Sequence, residues 1–165
     1  MRAYWNWASG SGKAWKMPTR EAATRYLHEH IPLTQHMQVR VAATDERGVR
    51  LSAPLAPNIN HQQTAFGGSA AALATLACWT LVHLRLAELP FVSGIVIRRS
   101  QMQYDAPIHD DFEAFCPAPD AELWQAFIDS LTQRNKGRIE LSSALYCQGK
   151  ETAIFSGEFV ALKEI

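Results

Sequence analysis

APNINHQQTAFGGSAAALATLACWTLVHLRLAEL, residues 56–89, decides the fold. From Ala56 to Phe66 the chain is polar and aperiodic, which reads as a loop. Gly67-Gly68 then lead into a helix that runs to Leu89, in which Ala70, Ala71, Ala72, Ala74 and Ala77 fall on several faces. That helix is apolar nearly all round until Arg85, so it belongs inside a core, and its small side chains let a sheet approach from more than one side. Its most apolar part, Ala70 to Leu84, is shorter than the roughly 20 residues a bilayer requires and carries Thr75, Thr80 and His83. A buried helix wrapped by a sheet is expected.

The flanking segments supply the sheet. Upstream, Thr19 stands as an N-cap after Pro18; Ala22, Ala23, Tyr26, Leu27 and Ile31 have the spacing of a surface helix, which Pro32 ends. From Met37 the period drops to two: Met37, Val39 and Val41, a turn at Asp45 to Gly48, then Val49, Leu51 and Ala53 form a hairpin. Downstream, strands are expected at Val92 to Tyr104, Phe112 to Cys116, Arg138 to Cys147 and Thr152 to Leu162. Between the second and third of these, Leu123, Trp124, Phe127, Ile128 and Leu131 mark the apolar stripe of an accessory helix, capped by Asp120 and stopped before Gly137. In the first of these strands Ile95 and Ile97 have one parity and Met102 and Tyr104 the other. Either both faces are buried or a bulge near Arg98 to Gln101 re-aims the side chains.

A chain of 165 residues with 47% hydrophobic and 19% charged residues fills one core, so residues 18–165 are read as a single α+β domain. Residues 1–17, with Trp5, Trp7 and Trp15 among Ser, Gly and Asn, form an N-terminal arm. Sixteen Lys and Arg balance sixteen Asp and Glu, which argues against a nucleic-acid partner. Cys78, Cys116 and Cys147 are widely spaced, with no CxxC pair and no adjacent histidine at ligand spacing, so no metal is expected and a reducing compartment suits them. The N-terminus lacks the apolar core of a signal peptide, and a cytoplasmic protein without a membrane partner is expected.

The order helix, hairpin, polar loop, Gly-Gly, long Ala-rich helix and four strands, together with NHQQTAFGGSAAALATLACW, resembles the hotdog-fold thioesterases. The likeness is strongest to the thioesterase domain that some bacteria carry alone and others carry fused behind an acetyltransferase domain. It covers about Glu21 to Leu162, including IPLTQHM (31–37), PLAPNINHQQTAFGGS (54–69) and the accessory helix. The resemblance implies an antiparallel sheet wrapped around the Gly68 to Leu89 helix, and homodimers, or dimers of dimers, joined edge to edge. It also implies active sites at the subunit boundary, where the Gly67-Gly68 helix start of one chain would face the Arg98 to Gln103 segment of the other. The implied substrate is an acyl thioester of coenzyme A or acyl carrier protein, with no cofactor beyond the pantetheine of the substrate itself.

A helix N-terminus offers unpaired amides and partial positive charge, and Gly67-Gly68 leaves room for a ligand, so a thioester oxygen can be polarised there; alternatively the glycines only turn the chain. Relatives of the His-Gly-Gly type carry an Asn six residues before their motif His. Asn60 matches that Asn, whereas Phe66 replaces the His and Thr75 replaces a catalytic carboxylate on the helix. The catalytic set is therefore Asn60, Gly67, Gly68 and His61, the last as a replacement base or simply a solvated loop histidine. Thr64, Phe66, Ser69, Thr75, Arg98, Arg99, Gln101 and Gln103 are the expected substrate-binding residues. Cys78 and His83 fall on different helix faces, as do His28 and His30, against a nucleophile pair and a metal pair respectively. Arg98, Arg99, Arg134, Lys136 and Arg138 can meet the phosphates of coenzyme A or an acidic carrier protein, or serve only as a solvated edge.

Three activities fit these residues. One is thioester hydrolysis. A second is decarboxylation of malonyl-acyl carrier protein, known in close relatives with an Asn at the position of Asn60, which needs oxyanion donors but no base. The third is acyl-carrier binding without turnover.

Overall fold

The Thr19 hydroxyl accepts a hydrogen bond from the Ala22 amide (3.2 Å) and starts α1 (Arg20–His30), which buries Ala23 and Leu27. The computed structural model describes residues 18–87, 89, 91 and 93–163, so the tryptophan arm lies outside the described residues. Pro32 ends α1, and it also opens a short second helix absent from the sequence reading, α2 (Pro32–His36). The first position of a helix needs no amide proton, and proline has none. The first strand is correspondingly shorter than expected: β1 is Arg40–Asp45, although Met37, Val39 and Val41 are all buried as the alternation requires.

The hairpin closes with β2 (Gly48–Ala53), and a 3-10 turn at Ala56–Asn58 leads towards α3 (Gly67–Leu86). Then follow β3 (Ser93–Tyr104), β4 (Phe112–Pro117), α4 (Ala121–Arg134), β5 (Lys136–Cys147) and β6 (Lys150–Lys163). Among the described residues the strands form one six-stranded sheet in the order β1-β2-β4-β5-β6-β3, antiparallel at every pairing. α3 packs along its inner face, and the buried apolar residues of helix and sheet make one cluster. By length and composition α3 could cross a bilayer, but Leu73, Ala74, Ala77, Cys78 and Val82 are fully buried against the sheet, as in a core helix. Ser143 on β5 fixes it in place: the buried hydroxyl donates to the Ala74 carbonyl at 2.9 Å.

The parity conflict in β3 resolves as a bulge. Ile97 pairs with Phe159 and Arg99 with Glu158, leaving Arg98 as the extra residue. Beyond it Ser100, Met102 and Tyr104 pair with Gly157, Phe155 and Ala153. Directly opposed residues share a face, and Ala153, Phe155, Gly157, Phe159 and Ala161 are buried towards the core. Ile95, Ile97, Met102 and Tyr104 therefore all face inwards.

The two edges of the sheet differ. At β1, α1 consumes the free backbone: the Val41 amide donates to Thr24 Oγ1 (2.9 Å), His28 Nε2 lies 2.8 Å from the Val39 carbonyl, and Arg20 donates to the Ala42 carbonyl (3.2 Å). At β3, 12 residues long, no described side chain covers the outer edge, and Val96 and Ile97 are 52% and 41% exposed. α4 packs on β5 through buried Phe127 and Leu131, and the Arg85 guanidinium lies 5.3 Å from the Trp124 ring. Asp120 occupies the N-cap position but makes no capping bond, and Leu123 is exposed, so the stripe is one residue narrower than expected.

Candidate active site

The loop ahead of α3 is held by its own amides. Asn58, buried, donates from Nδ2 to the carbonyls of Met37 (2.9 Å) and Pro54 (2.8 Å), while its backbone carbonyl accepts from the Phe66 amide (2.7 Å). Asn60 closes the turn that follows. Its Oδ1 accepts from the amides of Gln62 (2.8 Å) and Thr64 (3.2 Å), and its Nδ2 donates to Thr64 Oγ1 (2.9 Å) and the Ala65 carbonyl (3.3 Å). The Ala65 amide in turn donates to the Ile108 carbonyl (2.8 Å), so the loop is clamped to the β3–β4 connection.

The chain thus reaches Phe66 in a fixed geometry. Phe66 is the N-cap of α3 and offers no capping side chain; the first helical bond is from the Ala70 amide to the Phe66 carbonyl (3.0 Å). The amides of Gly67, Gly68 and Ser69 have no intrahelical acceptor, and among the described residues nothing else accepts from them. Three donors and the positive end of a 20-residue helix are left open at one place. A Cβ at Gly68 would meet the exposed Phe66 ring folded over the first turn, which would have to swing aside.

Beside this helix start lies a pocket of about 250 Å³, walled by Gly67 and Ala70 on one side and by Tyr104, Asp105, Pro107 and Ile108 on the other. The Tyr104 hydroxyl donates to the Gly67 carbonyl (2.9 Å). Asp105 Oδ1 accepts from Gln103 Nε2 (2.8 Å), and the Asp105 and Ala106 amides donate to the Thr152 carbonyl (2.9 and 3.0 Å), which anchors this wall to β6.

The structure brings Asn60, Thr64, Phe66, Gly67, Gly68 and Ser69 together at the loop and helix start. His61 is exposed on the turn and does not line the pocket. Thr75 is half-buried two turns along α3, its hydroxyl donating to the Ala71 carbonyl (2.8 Å). Gln103 serves Asp105, while Gln101 is exposed opposite Ser156. Arg98 and Arg99 lie among the carboxylates of the outer sheet face rather than in the pocket. Arg98 bonds Glu158 at 2.8 Å and holds that carboxyl below its ordinary pKa, and Arg99 lies 3.8 Å from Glu158 and 3.9 Å from Glu140. The sequence reading missed Tyr104 and Asp105 as wall residues. The parity break in β3 was the available signal, since it turns Tyr104 inwards.

The remaining candidates have other duties. Cys78 is fully buried, Cys116 Sγ donates to the Pro117 carbonyl (3.6 Å), and the neighbouring Cys78 thiol together with burial pushes the Cys116 thiol up. His83 stacks between Trp79 (4.7 Å) and Tyr26 (4.6 Å), and Tyr26 stacks on His30 (4.0 Å). Burial, and secondarily the charge of His30, bring the His83 pKa down to about 4.

Residues 20–163 match the family described as "Putative thioesterase (yiiD_Cterm)". The chain belongs to that family. A protein of unknown function from Chlorobaculum tepidum is 32% identical, over 92% of this chain and 100% of that one, with a TM-score of 0.85. A Shewanella oneidensis protein described as a "putative thioesterase" is also 32% identical, over 87% and 96% of the two chains, with a TM-score of 0.76. A Pseudomonas aeruginosa protein described as a "Probable Thioesterase", 20% identical over 92% and 100% of the two chains, shares the fold with a TM-score of 0.76. The fold is the hotdog fold, with the long helix inside an antiparallel sheet, and the family is of thioesterase type.

Proposed function

We propose that this member of the family is an enzyme that hydrolyses acyl thioesters of coenzyme A or acyl carrier protein, with the first turn of α3 as its oxyanion hole. The observation that carries the reading is the uncapped start of α3, with the amides of Gly67, Gly68 and Ser69 free among the described residues and Gly67 lining an open pocket. Attack on a thioester moves negative charge onto the carbonyl oxygen, and donors fixed in advance stabilise that charge at little reorganisation cost. Asn60 supports the hole by holding the loop, since both protons of its amide are already engaged.

A second reading, malonyl-thioester decarboxylation, is favoured by Thr75. α3 carries no carboxylate, and the Thr75 hydroxyl is bonded to its own helix, so nothing on α3 activates water. Loss of carbon dioxide leaves an enolate whose oxygen the same three amides would stabilise.

The bare β3 edge supports a homodimer, because an uncovered strand of this length with exposed Val96 and Ile97 invites a second sheet. Exposed Lys136 and Arg138, beside the ion-paired Arg98 and Arg99, suit an acidic carrier or the coenzyme A phosphates.

The test is product analysis with purified protein on acetyl-, malonyl- and longer acyl thioesters of both carriers. Hydrolysis releases free thiol; decarboxylation converts malonyl to acetyl thioester without thiol. Tight binding of acyl thioesters with neither product would make the protein a binding module.

A further inference from the structure

We propose that the ring stack of Trp79, His83, Tyr26 and His30 is an acid-sensitive latch, in which a proton on His83 loosens α1 from α3 and uncovers the β1 edge. The stack runs across both helices. His83 lies between Trp79, one turn back on α3 (4.7 Å), and Tyr26 on α1 (4.6 Å), and His30 stacks on Tyr26 at 4.0 Å. Two rings that stack on one ring at these distances lie on its opposite faces. The rest of the hold is small: Ala23 and Leu27 are the buried residues of α1. What α1 covers is the backbone of an edge strand, since Thr24, His28 and Arg20 meet the Val41 amide and the Val39 and Ala42 carbonyls.

The groups around His83 set the sign. From α1 it faces Tyr26 and, beyond it, His30, whose charge opposes a second proton; from its own helix it faces the uncharged Trp79. His28 is turned to the Val39 carbonyl (2.8 Å) and Arg85 to the Trp124 ring of α4 (5.3 Å). His28 and His30 each bond a backbone carbonyl, whereas among the described residues the half-buried His83 ring has neither a carbonyl nor a carboxylate to receive its proton. An imidazolium in that place is unpaired, and undocking α1 returns it to water, so acid favours the open helix. With the docked ring titrating at about 4 and the free ring at its ordinary 6.5, opening should be about 30-fold more favourable at pH 5 than at pH 7.5.

Hydrogen exchange of the wild-type protein at pH 7.5 and pH 5, corrected for intrinsic exchange, tests this. The Val41 amide reports on α1 directly, because its acceptor is Thr24 Oγ1. Its protection should fall about 30-fold and lie at least about tenfold below that of the β5 and β6 amides at pH 5, since an opened α1 leaves the sheet formed. In His83→Phe, which keeps a ring between Trp79 and Tyr26, the fall should shrink to about threefold or less. Val41 protection that holds or rises in acid overturns the latch, the two aromatic faces then stabilising the imidazolium. Protection equal to that of β5 and β6 at both pH values overturns it too, as that is whole-chain unfolding. A fall kept in full by His83→Phe overturns the assignment to this ring. Titration of the wild-type His83 ring by NMR makes the same assignment without a variant: a midpoint at or above the ordinary histidine value contradicts it.

Discussion

The hydroxyl of Tyr104 donates to the carbonyl of Gly67 at 2.9 Å, so the last residue of β3 holds the first residue of α3. The bulge at Arg98 makes this contact, because without the extra residue Tyr104 would face the outer side of the sheet. Replacing Tyr104 by Phe keeps the ring and removes the bond. Exposed to solvent as it is, the bond should contribute no more than about 1 kcal/mol to stability. An effect of similar size is expected on catalysis, where kcat should fall about fivefold as the helix start loosens; steady-state kinetics and a melting curve on the same variant measure the two together.

Asn60→Ala removes two donor and two acceptor contacts from one turn. Turnover should drop by at most about two to three orders of magnitude, the cost of losing one oxyanion donor, since Asn60 positions the donors and is not one itself. Because the amide acts through the loop, the Gln62 and Thr64 amides should also exchange with solvent faster than in wild type. Asn60→Asp keeps the acceptor oxygen and should retain the slow exchange of those two amides. Hydrogen exchange unchanged in Asn60→Ala would contradict the positioning role.

His83 gives the protein an acid-sensitive stability. Its folded-state pKa of about 4 lies below the ordinary histidine value, so between about pH 6.5 and pH 4 the unfolded chain binds a proton that the folded chain does not. Stability contributed by the neutral ring is intact above pH 6.5 and is lost as pH falls through the folded-state value, up to about 3 kcal/mol. His83→Phe keeps a ring between Trp79 and Tyr26 and should flatten this slope. Urea unfolding midpoints at pH 7.5 and pH 5 should therefore differ less in the variant than in wild type.

If the β3 edge joins two copies, light scattering should give twice the chain mass of 18.4 kDa at micromolar concentration. Ile97→Lys puts a charge on the exposed inner side of that edge and should shift the mass towards the monomer. A wild-type monomer would remove the shared-edge arrangement.

Much of this architecture was legible because its signals are local. The all-round apolar helix, the alternation at Val39 and Val41, and the Thr19 cap depend on near neighbours in sequence; the cap and the alternation hold, and the helix is found but ends at Leu86, three residues before the expected Leu89. α2 escaped notice because Pro32 reads equally well as a stop and as a first helical residue. The bulge was legible only as a contradiction in parity. The pocket wall was hidden for a different reason: Tyr104 and Asp105 are 37 and 38 residues beyond Gly67, and only the antiparallel return of β3 beside β6 brings them to the helix start. Likewise, no sequence pattern says that the Asn60 amide turns into its own loop, since that depends on where Thr64 and Ala65 fold back.

The most direct measurement of the central claim is the crystal structure of the protein with a coenzyme A thioester analogue in which sulfur is replaced by methylene, leaving the carbonyl intact. The account predicts the carbonyl oxygen within about 2.7–3.1 Å of at least two of the Gly67, Gly68 and Ser69 amides. A bound analogue whose carbonyl lies away from the start of α3 would contradict it.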